Sequence, residues 1–249
     1  MRKLVCLLGL GMLIGGMALP AATRADNAPA AAPAVRGPDS TGSATGSAAD
    51  LAAAKPGAPT LLEVANEVGH SKVALNIVWT LVAGFLVMFM QAGFAMVEAG
   101  LTRAKNVAHT MAMNFMIYPL GMLGFWLCGF AFMFGGLGPL ATLGGTPLLD
   151  SEWTITLFGK PFGLLGHKGF MLGADVYDAS IFALFLFQMV FMDTTATIPT
   201  GTAAERWKYS AFFLYGCCIG TIMYPVFGNW VWGGGWLSQL GANFGLGHG

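Results

Sequence analysis

Aromatic side chains at three positions could bind or exclude a small cation. Phe187 and Phe191 are four residues apart, so on a helix they lie on one face, a turn apart. Trp232 is followed by Gly233-Gly234-Gly235, which lets the backbone bend closely while the indole projects. The face of an indole ring attracts a cation through its quadrupole. Ordinary packing or contact with lipid is the plainer interpretation of any one of these rings taken alone.

Two carboxylates lie within long apolar stretches. Glu98 is the only charged residue between Lys72 and Arg103, and Asp193 is the only one between Asp178 and Glu205. A charge at the bilayer centre costs about 3 kcal/mol, so such a group usually faces protein or water. The closeness of Glu98 to Arg103 favours a structural role near a membrane surface. Asp193 is followed by threonines and could be a satisfied structural carboxylate or part of a conduction route; the sequence does not decide.

The composition indicates that membrane-spanning helices carry these side chains. Hydrophobic residues make up 55% of the 249-residue chain and charged residues only 10%, against roughly 25% in soluble domains. Four windows nearly free of charge are each long enough to cross a bilayer, which takes about 20 apolar residues. They predict an all-α, polytopic membrane helix bundle. The predicted helices span about residues 75–100, 107–135, 178–203 and 208–232.

The N-terminus has the layout of a targeting segment. Two basic residues follow Met1, an apolar run extends to Leu19, and small residues precede Ala25. This pattern predicts a signal peptide over residues 1–25, with an uncleaved first helix as the alternative. Residues 26–60 are rich in Ala, Pro and Ser and predict a disordered tether. The domain itself would occupy residues 61–249 and begin with a short amphipathic helix over 60–72 at the membrane surface.

The loop charges predict an orientation. The connections at residues 102–106 and 203–208 are short and basic, whereas the long connection over 136–177 carries several acidic residues. The positive-inside rule therefore puts both short connections in the cytoplasm. Signal cleavage would leave the new N-terminus outside, which gives the same topology. We expect a multi-pass protein of the cell inner (plasma) membrane.

Several function classes are disfavoured by the composition. A formal net charge of zero leaves no basic patch for nucleic acid. The four His and four Cys residues lack metal-ligand spacing, so we expect no metal site and no disulfide. The sequence shows no pairing of a nucleophile with a base and no phosphate-binding loop, so we expect neither an enzyme nor a cofactor.

Three segments, taken together and in order, resemble the ammonium transporter family (Amt/Mep/Rh). The first runs from Gln91 to Asn106 and reads QAGFAMVEAGLTRAKN. The second is the FQMVF of Phe187–Phe191, which leads to GTAAERWKYSA over residues 201–211. The third is the VWGGG of residues 231–235. The similarity covers roughly residues 70–249.

The resemblance implies a fold, a substrate and roles for the aromatic residues. Members of the family are homotrimers of eleven-helix subunits with a pore through each subunit. By analogy, Trp232 would help to form an outer ammonium site by cation–π contact, Phe187 would border it, and Phe191 would be a pore gate. Ammonium or ammonia would be the substrate, with membrane lipid around the helices. A PII-type regulatory protein is a further expected partner on the cytoplasmic side.

The sequence also departs from the family pattern. It stops at Gly249 after about four of the eleven helices, so the second gate phenylalanine and both pore histidines are missing. We therefore expect the chain to be an N-terminal part of a transporter. One alternative is an ammonium sensor domain fused or bound to a signalling protein. The other is a non-transporting fragment that assembles with intact copies.

Overall fold

The structure, a computed structural model, describes residues 60–246 as a bundle of long helices. Within this range four helices are long and apolar enough to cross a membrane: Leu61–Leu101, Ala104–Phe134, Ala179–Thr202 and Tyr209–Val231. The prediction of a membrane helix bundle is thereby confirmed. The predicted signal peptide and all of the predicted tether except Thr60 lie outside the described residues.

The first span is one continuous helix, α1, from Leu61 to Leu101. It begins at a capping box, in which Thr60 Oγ1 accepts from the Glu63 amide and Glu63 Oε2 accepts from the Thr60 amide. Its 41 residues correspond to roughly 60 Å, twice the thickness of a bilayer core. The prediction of a separate amphipathic helix over 60–72 is wrong, because no cap or proline interrupts the backbone before the apolar window.

The second and fourth spans each contain a π turn between two α-helices. In the second, α2 (Val107–Gly124) continues through Phe125–Gly129 into α3 (Phe130–Phe134). The third span is the single helix α4 (Ala179–Thr202). In the fourth, α5 (Tyr209–Cys218) continues through Ile219–Met223 into α6 (Tyr224–Val231). A short helix α7 (Leu240–Phe244) follows.

Glycines let the second and fourth spans approach closely. A Cβ atom built at Gly220 would lie 2.6 Å from the carbonyl oxygen of Gly121, closer than real Cβ contacts allow. The small-residue face formed by Gly216 and Gly220 therefore packs against the second span, as the spacing predicts. Beside this crossing, a core of large apolar side chains includes the fully buried Phe125, Phe130 and Phe212.

The connections divide the bundle into two ends. The short-loop end carries residues 102–106 and 203–208, and the long-loop end carries residues 135–178 and 232–246. The long-loop end contains an antiparallel hairpin of β1 (Glu152–Leu157) and β2 (Lys160–Gly166), which the sequence analysis did not predict. Phe158 and Gly159 form its turn, both with positive φ, as type I′ two-residue turns require.

Candidate functional site

The two phenylalanines of the third span form a tilted pair. Phe187 and Phe191 lie one helical turn apart, with ring centroids separated by 4.9 Å and planes inclined by 53°. Helix α4 begins at Ala179, where Asp178 caps it by accepting from the Ser180 amide at 2.9 Å. With a rise of about 1.5 Å per residue, Phe187 lies roughly 12 Å and Phe191 roughly 18 Å below the start of the helix.

The indole of Trp232 lies where the fourth span ends, at the long-loop end. Its ring meets Phe227 and Tyr224 edge-on, with centroid distances of 6.0 Å and 6.3 Å. Trp232 is 40% exposed. Both of its described ring contacts are to residues of its own span.

A hydrogen bond connects the Trp232 cluster to the phenylalanine pair. Tyr224 is buried beneath Trp232, and its hydroxyl donates to Gln188 Oε1 at 3.3 Å. Gln188 neighbours Phe187 on the third span. The described contacts therefore join Trp232 to Phe187 through Tyr224 and Gln188, not ring to ring. Sequence spacing alone does not pair Gln188 with Tyr224, because the two residues lie on different spans.

A glycine turn fixes the direction in which Trp232 projects. Gly234 has a φ of +97°, which strongly favours glycine. A Cβ atom at Gly233 would collide with the carbonyl oxygen of Met133 in the second span. The amides of Gly233 and Gly235 both donate to the Asn229 carbonyl oxygen, at 3.1 and 2.8 Å. The helix thus ends abruptly at Trp232, and the chain turns back against the second span.

Glu98 lies in a buried polar network that joins three spans. Its Oε2 accepts from Asn114 Nδ2 of the second span at 2.6 Å. Thr200 Oγ1 of the third span lies 2.6 and 2.7 Å from the two carboxylate oxygens. Gln91 extends the network by donating to the Asn114 carbonyl oxygen at 2.8 Å and to Thr197 Oγ1 at 3.0 Å. These bonds fit the structural role that we expected for Glu98.

Asp193 has a different environment from Glu98. It is 1% exposed, and neither carboxylate oxygen has a hydrogen-bond partner within residues 60–246. The absent side chain of Gly121 makes room for it, since a Cβ atom there would lie 2.5 Å from Asp193 Oδ1. A buried carboxylate without a partner is costly in its charged form. The two acids therefore differ within the described residues: Glu98 accepts hydrogen bonds, whereas Asp193 accepts none.

The two connections at the short-loop end are joined by an ion pair. Arg103 Nη2 lies 2.8 Å from Glu205 Oε2, Nε donates to the same oxygen, and the Arg103 amide donates to Oε1. Hydrogen bonds from Arg103 and Asn106 lower the pKa of Glu205 to about 2. Glu205 has a φ of +67°, an unfavourable conformation that these bonds help to hold.

The chain resembles known membrane transporters over most of its length. The profile of the Ammonium Transporter Family matches residues 78–248. Ammonium transporter Amt2 of Archaeoglobus fulgidus is 41% identical over 195 residues, which cover 76% of this chain and 36% of that protein. Ammonium transporter Amt1 of Haloferax mediterranei is 34% identical over 180 residues, which cover 70% of this chain and 30% of that protein.

A solved structure with the name Sensor Amt Protein has a similar fold. It superposes with a TM-score of 0.54 at 30% sequence identity, and the match covers 68% of this chain and 38% of the solved chain. The chain thus spans about a third of the length of the relatives that it matches.

Proposed function

The chain belongs to the ammonium transporter family, and we propose that the complete protein carries ammonium or ammonia across a membrane through a pore in each subunit. The curated relatives that it matches are named as transporters, not as enzymes. Its four apolar helices make it a multi-pass membrane protein. The chain itself would supply the mouth of the pore and its first constriction.

The single observation that carries this proposal is the order of the aromatic rings along one end of the bundle. Trp232 lies at the long-loop end and is 40% exposed, and the Phe187–Phe191 pair lies deeper, on the third span. The bond between Tyr224 and Gln188 ties the two groups together. A cation arriving from the long-loop end would meet the indole first and the phenylalanines next.

This order suits selection of a small protonated amine. Contact with an indole face is worth about 0.5–2 kcal/mol to a cation and can replace part of its hydration. The apolar constriction at Phe191 then penalises any ion that keeps its water. Ammonium can give up a proton to the water on the outer side and pass as neutral ammonia, whereas potassium, of similar size, has no proton to lose. Phe187 borders the outer site and Phe191 gates the pore.

The two acids have separate roles in this scheme. Glu98 holds three spans together through Asn114 and Thr200, well away from Trp232 in sequence and at the opposite end of its helix from the long loop. Asp193 follows Phe191 by two residues, roughly 21 Å below the start of α4. The two roles considered for Asp193, a structural carboxylate or part of a conduction route, are distinguished by its substitution.

The proposed orientation places the long-loop end outside the cytoplasm, in the inner (plasma) membrane. Four basic residues and one acidic residue lie in the two connections of the short-loop end, which favours the cytoplasmic side for that end. The N-terminus would then lie outside after signal cleavage. A homotrimer, surrounding lipid and a PII-type regulator at the short-loop end complete the proposal.

Replacing the indole tests the proposed outer site. In the full-length protein, Trp232→Leu should raise the apparent KM for labelled methylammonium by about twofold to thirtyfold, the range that corresponds to a lost cation–π contact. The assay is uptake by cells that lack other ammonium carriers, with ammonium as competitor. Trp153→Leu is the matched control, because Trp153 lies at the same end but stacks on His167 in the hairpin. Unchanged uptake and competition for Trp232→Leu would refute the outer site.

Ammonium sensing is a second candidate function, favoured by the similarity to the Sensor Amt Protein. The same outer site would then report occupancy to a signalling module and would not need to conduct. The gene sequence beyond the codon for Gly249 distinguishes the two functions. A kinase or cyclase module there would support sensing, and a short cytoplasmic tail would support transport.

A further inference from the structure

A carboxylate of the hairpin reaches into the fourth span just before the proposed outer site. Glu152, the first residue of β1, is half-buried, and its Oε1 accepts a hydrogen bond from Asn229 Nδ2 at 3.0 Å. Burial raises the pKa of Glu152, while the bond from Asn229 lowers it. Glu152 and Asn229 are 77 positions apart in the sequence, so the contact joins the long loop to the end of the bundle.

Two glycines leave the space that the Glu152 side chain occupies. A Cβ atom at Gly136 would lie 2.7 Å from Glu152 Oε2, and one at Gly163 would collide with the carboxylate. One glycine follows the second span and the other belongs to β2. The position is therefore shaped for a side chain of this length.

Asn229 connects Glu152 to the turn that presents the indole. It is fully buried, and its amide group donates to Glu152 and also to the Met133 carbonyl oxygen at 3.2 Å. The backbone carbonyl oxygen of Asn229 accepts from the amides of Gly233 and Gly235, in the glycine turn that follows Trp232. A shift of Asn229 would therefore also shift the glycine turn, which is bonded to it.

The turn is also bonded to the hairpin directly and through Gln239. The Trp236 amide donates to the Gly163 carbonyl oxygen at 2.8 Å. Gln239, which follows the turn, accepts from the Gly163 amide at 3.3 Å and donates from Nε2 to the Gly234 carbonyl oxygen at 2.6 Å. Trp230 Nε1 donates to the Leu164 carbonyl oxygen at 3.0 Å. Besides these attachments, Asn229 Nδ2 donates to Glu152 Oε1 of the hairpin and to the Met133 carbonyl oxygen of the second span.

We propose that Glu152 is a positioning residue for the outer site: its hydrogen bond holds Asn229 so that the glycine turn presents the face of Trp232 to the cation. This inference rests on the proposed function, since it assigns Trp232 to substrate. This role depends on an acceptor oxygen at the right distance from Asn229 Nδ2 and does not depend on the negative charge of Glu152. If Glu152 instead attracted the cation directly, its role would depend on that charge.

Two conservative substitutions in the full-length protein separate reach from charge. Glu152→Gln keeps an acceptor oxygen at the same distance but removes the charge, whereas Glu152→Asp keeps the charge but withdraws the oxygen by one methylene. The readouts are the apparent KM and the maximal rate of methylammonium uptake, with the melting temperature of the purified protein as a check on folding. Asp150→Asn is the control, because Asp150 is a nearby exposed acid that pairs with Lys168.

We expect Glu152→Gln to keep the wild-type KM and Glu152→Asp to raise it about threefold to tenfold, the range for loss of a typical intramolecular hydrogen bond. The maximal rate and the melting temperature should stay near wild type in both variants. Adding Glu152→Asp to Trp232→Leu should give no further rise, because Glu152 acts through the indole.

Three results would overturn the inference and leave the proposed function standing: a raised KM in Glu152→Gln with a normal KM in Glu152→Asp, additive effects in the double variant, or a fall in melting temperature that accounts for the loss. If the wild-type protein transports nothing, or if Trp232→Leu alone leaves KM unchanged, the proposed function fails first and this inference falls with it.

Discussion

Replacing Thr200 by valine should destabilise the protein more than replacing it by serine. Thr200 is fully buried, and its hydroxyl reaches both oxygens of Glu98 at 2.6 and 2.7 Å. Valine keeps the shape of threonine but cannot donate, so the carboxylate retains only Asn114 Nδ2 as its donor. Serine keeps the donor and loses one methyl group. The pair of variants therefore separates hydrogen bonding from packing at one site.

The expected magnitudes follow from these contacts. A hydrogen bond to a charged group contributes about 1.5–3 kcal/mol. Because Glu98 keeps one strong donor, we expect Thr200→Val to lower the free energy of unfolding by roughly 2 kcal/mol, a near thirtyfold change in the unfolding equilibrium. Loss of a buried methyl group in Thr200→Ser should cost about 0.8 kcal/mol.

The assay is unfolding of the purified full-length protein by sodium dodecyl sulfate, followed by loss of helical circular dichroism. Thr195→Val is the control on the same helix, because Thr195 is exposed and its hydroxyl bonds only the Phe191 carbonyl oxygen of the preceding turn. That substitution should change the free energy of unfolding by less than about 0.5 kcal/mol. A larger loss for Thr200→Ser than for Thr200→Val would show that packing dominates and would refute the proposed role of the network.

Three further predictions concern the other charged groups and the orientation. Asp193→Asn should leave the melting temperature equal to or above wild type and should retain transport, because the substitution removes a buried carboxylate that has no partner. Loss of transport at unchanged stability would assign Asp193 to conduction. Glu205→Gln should lower the melting temperature equally at pH 5 and pH 8. The folded protein lowers the pKa of Glu205 from 4.5 to about 2, so the ionised carboxylate stabilises the fold fully above pH 4.5 and loses this effect only as the pH falls from 4.5 towards 2. A difference that vanishes at pH 5 would contradict the ion pair with Arg103. A reporter active only outside the cytoplasm should work when fused near Lys160 and be silent at Lys208, and the reverse result would overturn the orientation.

The sequence predicts the spans well where bilayer physics leaves few choices. The third and fourth spans begin and end within one residue of the predicted bounds. Asp178 and the charges of residues 205–208 mark three of these ends, and Gly233-Gly234-Gly235 marks the end of the fourth span. The start of the first span differs, since hydropathy fades near Lys72 while the helix continues back to its cap at Thr60. Hydropathy finds the segment inside the bilayer, but backbone capping decides where a helix begins.

The hairpin shows a signal that could have been used. Trp153, Ile155 and Leu157 alternate with threonines before Phe158-Gly159, a pattern typical of a strand that leads into a tight turn. The charge-free windows predict membrane spans only and do not indicate the strands of this loop. As a result, the element that holds the glycine turn after Trp232 was missed.

The partners of the candidate site residues could not be predicted from spacing. Sequence reasoning selected Glu98 because a lone acid in an apolar window is costly. Its donors Asn114 and Thr200 are 16 and 102 positions away, and such pairings depend on how the spans cross. The bond from Tyr224 to Gln188 joins two spans in the same way. Local patterns identify residues that need partners, whereas the fold supplies them.

Solute uptake by the purified full-length protein in liposomes tests the central claim most directly. The amount of ammonium plus ammonia or, separately, of potassium that enters the liposomes should be measured after a step in the outside concentration at equal ionic strength. We predict a saturable response to ammonium, none to potassium, and a weaker apparent affinity for ammonium in Trp232→Leu. Equal responses to both ions, or no response to ammonium from a correctly folded protein, would contradict the account of an indole mouth above a phenylalanine gate.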